Sequence, residues 1–352
     1  MAYLEFNNVG IAGLSGAVPR TVIDNLQYTS FFSAEEASDI VAKTGIKERR
    51  FADAQTCSSD LCFAAADKLL TEMDVDRSEI DLLIFVSQTA DYRMPATSII
   101  LQNRLCLSKQ TMAFDISIGC SGFIYGLSVV YALMQQGSFR KALLLDGETR
   151  SKVYSPKDRK TAFLFGDGGI AALIDRRVSY GRSFFSLNTD GSRENLIKMD
   201  GGGYRNPSSA ETIKEKVIDA DGNIRSMEHG YMNGADVFNF LISEIPRDVK
   251  KLLETTNSVI DDFDYILFHQ ANDYMNNYLI KKLKLNIDKV PSSISKYGNT
   301  SSVSIPLTMV SELSDKLLEK KKLLLSGFGV GMSWATAIIN MVDCYIPAIE
   351  EV

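Results

Sequence analysis

Two short apolar runs in this 352-residue chain each end in a small, chemically distinctive turn that opens a helix, and this recurring unit constrains the fold more than any other feature. Residues 111–118 (TMAFDISI) run into Gly119-Cys120-Ser121-Gly122, and residues 265–268 (YILF) run into His269-Gln270-Ala271-Asn272. Apolar runs of this length between turn signals read as buried strands, and the segments after the two turns, 122–136 and 273–285, have helical character. One strand per half delivering a reactive side chain to a helix N-terminus predicts a duplicated α/β fold with its site at the junction. Residues 81–87, 141–146, 168–174, 322–325 and 334–342 also read as buried strands, separated by amphipathic stretches. The segment 188–232, rich in Gly, Ser, Asp and Asn, is long for a connection, and such loops are usually functional or mobile.

Composition removes several classes of function. Hydrophobic residues are 45% and charged residues 23% of the chain, which suits a globular protein with a full core. The net charge of −6 and the lack of a basic face interleaved with aromatics argue against nucleic acid. No apolar run is long enough to span a membrane, and no cationic segment followed by an apolar one opens the sequence, so neither membrane nor signal peptide is expected. Five cysteines, an odd number without CxxC spacing, argue against a disulfide framework and a metal site and place the chain in the reduced cytoplasm.

Cys120 leads the candidates for chemistry. A glycine-flanked turn at a helix N-terminus exposes backbone N–H groups that favour a thiolate and let a carbonyl approach the backbone. A free cysteine is more commonly a buried structural residue, and Cys57, Cys62, Cys106 and Cys344 fit that description. Of the two histidines, His229 lies in a polar loop, whereas His269 ends an apolar strand and suits a general base or hydrogen-bond donor. Asn299, in YGNTSS, is by itself a Gly-Asn turn. Cys, His and Asn in this order also describe papain-like proteases, but the local signature of those enzymes is absent.

Six blocks in order decide among these readings. TGIKERR (44–50), DISIGCSGF (115–123), DRKTAFLFGDGGIAAL (158–173), HQAN (269–272), YGNTSSVSIPL (297–307) and GFGVGMSW (327–334) together resemble the β-ketoacyl-acyl-carrier-protein synthase III family of the thiolase superfamily. The resemblance covers essentially the whole chain. It implies a thiolase-like α/β fold of two similar halves in α-β-α-β-α layers, with residues 1–178 carrying the nucleophile and residues 179–352 carrying the histidine and asparagine. By similarity, Cys120, His269 and Asn299 are catalytic: Cys120 takes an acyl group from a thioester, and His269 and Asn299 stabilise the enolate left when a malonyl-type unit loses carbon dioxide. The product is a β-ketoacyl thioester. The backbone N–H groups of Cys120 and Val330 would form the oxyanion hole, with Val330 standing where the family has a glycine and resisting a positive φ.

The resemblance further implies a homodimer whose substrates are acyl-CoA and acyl-carrier protein, coenzyme A serving as substrate and with no metal or other cofactor. Arg159, Lys43, Met94 and Asn272 fall on substrate-binding positions, and Lys281 and Lys282 on carrier-protein docking positions. Asp39 and Tyr274 replace the family's adenine-stacking Trp and docking Arg, and together with Val330 they point to a specialised pathway. A non-decarboxylating acyltransferase forming an ester or amide through acyl-Cys120 is the alternative. A hydroxymethylglutaryl-CoA synthase-like enzyme, for which Glu79 and Glu148 are candidate acids, and a silent scaffold subunit are less well matched.

Overall fold

Alternation along two central strands requires a sheet covered on both faces. In Lys141–Thr149, Ala142 and Leu144 enter one apolar cluster while Leu143 and Leu145 enter another. Ile80–Val86 divides likewise, with Leu82, Ile84 and Val86 on one side and Ile80, Leu83 and Phe85 on the other. Successive side chains of a strand point to opposite faces, so strands that carry apolar residues on both faces must be sandwiched. The computed structural model, which describes residues 2–136 and 138–352, shows how this is met.

One sheet has the order Glu350–Glu351, Val9–Val18, Asp167–Arg176, Lys141–Thr149, Ile80–Val86, Met112–Ile116. The other has the order Ala2–Asn7, Arg182–Thr189, Ser333–Met341, Lys321–Gly329, Tyr265–Phe268. Helices Gly122–Met134 and Ser304–Leu313 lie between the sheets, where Phe123, Leu127, Ile305 and Leu307 share a core with Leu82, Ile84, Leu323 and Leu325. Ser58–Glu72 covers the outer face of the first sheet through Leu61, Ala65 and Leu69. Gly234–Thr256 and Asp273–Leu283 cover the second through Phe240, Ile245, Val249, Met275 and Leu279. The result is the α-β-α-β-α layering of an α/β protein. Each sheet is completed by a strand from the opposite end of the chain, Ala2–Asn7 crossing to the second and Glu350–Glu351 to the first.

A buried acid ties the long outer helix to its sheet. Asp248 accepts hydrogen bonds from Ser186 Oγ and Thr336 Oγ1, each at 2.6 Å, and from Asn188 Nδ2 at 2.9 Å. Burial raises its carboxyl pKa, and these donors work against the rise.

The fold departs from two expectations. Residues 111–118 read as a buried strand, but Met112–Ile116 is an edge strand with no fully buried side chain. Its Asp115 receives the N–H groups of Thr97 and Ser98 at 2.7 and 2.8 Å and so ties the strand to the start of helix Thr97–Arg104. The Cys120 and His269 units, alike in sequence, are also not equivalent in the fold. In both sheets an antiparallel, antiparallel, parallel run leads to a parallel strand: Ile80–Val86 in the first, Tyr265–Phe268 in the second. His269 therefore stands where Ser87 stands in the first half. The segment 188–232 holds two short ribbons, Ile197–Lys198 with Tyr231–Met232 and Lys216–Val217 with Ile224–Arg225.

Candidate active site

Cys120 occupies the turn between Met112–Ile116 and the Gly122–Met134 helix and is 7% exposed. No side chain among the described residues caps that helix, so its first-turn N–H groups and the positive end of its dipole face the turn. Ser121 Oγ lies 2.8 Å from Ser333 Oγ, fixing the turn against the last long strand. The sulfur is walled by Gly329, where a Cβ would lie 2.5 Å from Sγ, so only glycine fits.

His269 follows the Tyr265–Phe268 strand, and its N–H donates to Ser326 O at 2.9 Å. Its Nδ1 lies 2.7 Å from Ser304 Oγ, and Phe328 packs against the ring at right angles, with centroids 5.4 Å apart. Asn299 is held from both sides of the chain: its N–H donates to Leu164 O at 2.8 Å and its carbonyl accepts from Gly166 N–H at 3.1 Å. The side-chain Oδ1 accepts the N–H of Ser301 at 2.9 Å, which fixes the amide's orientation and turns its NH2 group to the other side. Ser301 itself has φ of 57°, an uncommon conformation for a non-glycine residue, and brings its Oγ to 3.9 Å from Cys120 Sγ.

Burial pushes the Cys120 thiol up, but the charge and hydrogen bond of His269, then the charge of Arg150 and a hydrogen bond from Ser301, more than offset it and lower the pKa to about 7. The arrangement suits a nucleophile that is also a competent leaving group.

Cys120, His269, Asn299, Asn272 and Val330 line one small cavity of about 40 Å³. Val330 does not take the positive φ that a β-branched residue resists; the next residue, Gly331, does, at 134°. The remaining candidates lie outside this cavity. Lys43 and Lys281 border a wider polar groove of about 440 Å³ together with Asp273 and Tyr274, the two residues that follow Asn272. Lys282 is exposed on the same helix. Arg159 is ion-paired with Glu36, and Met94 is 76% exposed. His229 closes a local turn, its Nδ1 accepting the N–H of Ser226 at 3.0 Å. Among the other cysteines, Cys62 and Cys344 are buried and Cys106 is exposed.

Sequence reasoning missed three cavity neighbours. Ser304 gives no signal, being one of several serines in YGNTSSVSIPL. Phe328 lies inside GFGVGMSW but is indistinguishable there from a core residue. Arg150 carried a usable signal, a cation closing the apolar strand KALLLDGET. It lines the cavity and is 5% exposed. Glu148, weighed as an acid, is absent from the cavity wall; its two oxygens accept from Gln88 N–H at 3.1 Å and Thr89 Oγ1 at 2.9 Å.

Comparison with known proteins places the chain in a family. Family models described as 3-oxoacyl-(acyl-carrier-protein) synthase III, and as the C-terminal part of the same enzyme, match residues 114–191 and 253–341. A β-ketoacyl-(acyl-carrier-protein) synthase III of Caldanaerobacter subterraneus is 34% identical over 333 residues, covering 94% of this chain and 97% of its own. The corresponding protein of Fusobacterium nucleatum is 32% identical, covering 95% and 98%. The crystal structure of a 3-oxoacyl-(acyl-carrier protein) synthase from Burkholderia xenovorans superposes with a TM-score of 0.93 at 37% identity, covering 100% of this chain and 99% of its own. With its layered fold and these relatives, the chain belongs to the β-ketoacyl-acyl-carrier-protein synthase III family of thiolase-fold acyltransferases.

Proposed function

We propose that Cys120, His269 and Asn299 carry out a decarboxylative Claisen condensation in the cavity they share. The observation that carries this reading is a buried thiol with a pKa of about 7 meeting an imidazole and an oriented carboxamide in one cavity. The Cys120 thiolate attacks an acyl thioester, whose oxyanion is received by the N–H groups of Cys120 and Val330. Loss of carbon dioxide from a carrier-bound malonyl-type unit then places negative charge on its thioester oxygen, toward which His269 and the NH2 of Asn299 can each donate. The resulting carbanion attacks the acyl-Cys120 carbonyl and releases a β-ketoacyl thioester. Two donors for the enolate have no purpose in ester or amide formation, which favours condensation over the non-decarboxylating alternative.

Asn272, at the start of the Asp273–Leu283 helix, connects the cavity with the groove bordered by Lys43 and Lys281. We assign that groove and Lys282 to the phosphate-bearing arm of the donor and to an acidic carrier protein, with Arg159 tied through Glu36 to the Ala34–Thr44 helix that carries Lys43. Tyr92, Met94, Ile99 and Met112 are 63, 76, 51 and 46% exposed on and beside the free edge strand Met112–Ile116, and a second copy of the chain would cover them. In that homodimer Met94 would reach the partner's site. The halves 1–178 and 179–352 are the units that bring the thiol to the imidazole and amide. No helix among the described residues is long and apolar enough to cross a membrane, and the free thiols suit a reducing cytoplasm.

The test is intact-protein mass spectrometry with acyl-CoA and acyl-carrier donors, followed by carbon dioxide release from malonyl-carrier protein. An adduct on Cys120 that disappears in Cys120→Ser, and release that collapses in His269→Ala, are expected. Labelling elsewhere or undiminished release overturns the reading.

A further inference from the structure

We propose that the acyl group this enzyme loads onto Cys120 is a short ω-carboxyacyl group, whose terminal carboxylate is recognised by Arg150. This deepens the condensing-enzyme reading and rests on it.

Arg150 has hydrogen-bonding capacity that the fold leaves unspent. A guanidinium has five N–H donors, and buried donors are normally satisfied. The Arg150 side chain is 6% exposed, yet its Nε has no partner among the described residues. Its contacts with polar neighbours are long: Gln88 Oε1 at 3.5 Å and Glu148 Oε2 at 3.9 Å. Glu148 spends its oxygens elsewhere, on Gln88 N–H and Thr89 Oγ1. It therefore offsets charge at a distance without occupying the donors of Arg150. Burial opposes the guanidinium's charge, and the nearby charges of Glu148, Tyr154, Cys120 and Asp167 more than offset this, so Arg150 stays cationic in the cavity wall.

Position makes this capacity available to substrate. Arg150 lines the same cavity as Cys120, and its charge is felt at the thiol. Gln88 Oε1 would lie 2.5 Å from a Cβ on Gly119, so the Arg150–Gln88 pair stands beside the nucleophile turn. The stacked rings of Tyr154 and Phe165, 3.9 Å apart, flank the guanidinium with centroids 5.8 and 6.0 Å from its carbon. An alkyl chain placed here would leave buried donors unpaired; a carboxylate could take two of them in a bidentate fork. The small cavity sets a short chain.

Loading is thioester exchange. The bond from Cys120 Sγ to the acyl carbon forms as the donor's sulfur–acyl bond breaks, and the departing thiolate takes up the proton that Cys120 gave. No oxidant or reductant is needed.

The experiment is competitive acylation of Cys120, read by intact mass, with succinyl, glutaryl, butyryl, pentanoyl and 3-hydroxybutyryl groups presented on both coenzyme A and carrier protein. We expect the wild type to load succinyl or glutaryl at least about 10-fold faster than the uncharged chain of equal length, as sites built around a polar partner discriminate strongly. Arg150→Leu should reverse that ratio and Arg150→Lys should reduce it. If Arg150 served only to hold the thiolate, Arg150→Leu would slow all donors equally and leave the ratio unchanged, which overturns the proposal. Preference for an alkyl or hydroxyacyl group in the wild type overturns it as well, and needs no variant to fold. Failure of every donor to label Cys120 would instead remove the parent reading.

Discussion

Ser304 Oγ stands 2.7 Å from His269 Nδ1 and also accepts the N–H of Gln270 at 3.2 Å. With the oxygen already receiving one donor, the hydroxyl proton is available to Nδ1, and the ring, when neutral, carries its own proton on Nε2. That tautomer gives His269 an N–H to offer an enolate oxygen. Ser304→Ala should lower the kcat for carbon dioxide release from malonyl-carrier protein about 10-fold, the worth of one well-placed hydrogen bond, with KM little changed. Unaltered kcat in a folded variant would show that the serine does not set the tautomer.

The thiol of Cys120 should titrate early. Its pKa of about 7 means that the thiolate fraction, and with it reactivity, rises as pH increases through about 7 and falls below it. Iodoacetamide alkylation should therefore show a midpoint of about 7, against about 8.5 for an unperturbed cysteine. Removing the largest favourable influence in His269→Ala should move that midpoint upward. A wild-type profile matching a free thiol would refute the assignment.

Asn299→Asp separates the two half-reactions. Aspartate retains an oxygen to accept the Ser301 N–H at 2.9 Å, so the turn should survive. It loses the NH2 donor and brings a negative charge toward a developing enolate. Decarboxylation should fall by about 100-fold or more, the usual effect of losing an oxyanion donor. Acyl-Cys120 formation, read by intact mass, should persist, and thermal unfolding should shift little. Equal loss of both steps would point to a structural role.

Gly329→Ala tests the close wall of the site. The added methyl carbon would lie 2.5 Å from Cys120 Sγ and 2.6 Å from its Cβ, well inside contact distance. Either the sulfur or the strand end must shift, and a displacement of this order at a nucleophile costs about 100-fold. Stopped-flow acylation should show that loss with secondary structure intact by circular dichroism. Near-normal acylation would mean that the nucleophile turn can yield.

Much of the site was legible because the chemistry-bearing residues sit in short blocks whose composition is set by backbone demands. Gly119 and Gly122 flank Cys120 since a Cβ at either would meet Val330, Gln88 or Val86 within 2.7 Å. A nucleophile so crowded needs glycines in the sequence, and those glycines are readable. Arg150 was readable as a cation closing an apolar strand, but such a cation is ordinarily solvated, and only the layers around it make it 5% exposed. Lys43 and Lys281 come from distant parts of the chain, and nothing local revealed that they border one groove.

The sequence by itself determined the strands, the helices and the residue types able to do acyl chemistry, since alternation, turn glycines and helix-start geometry are local properties of the chain. Sheet order, the exchange of the terminal strands, the unequal standing of the Cys120 and His269 units and the unspent donors of Arg150 were decided only by tertiary structure. Those features depend on which distant segments exclude water together, and burial and charge pairing acquire values only once the layers close.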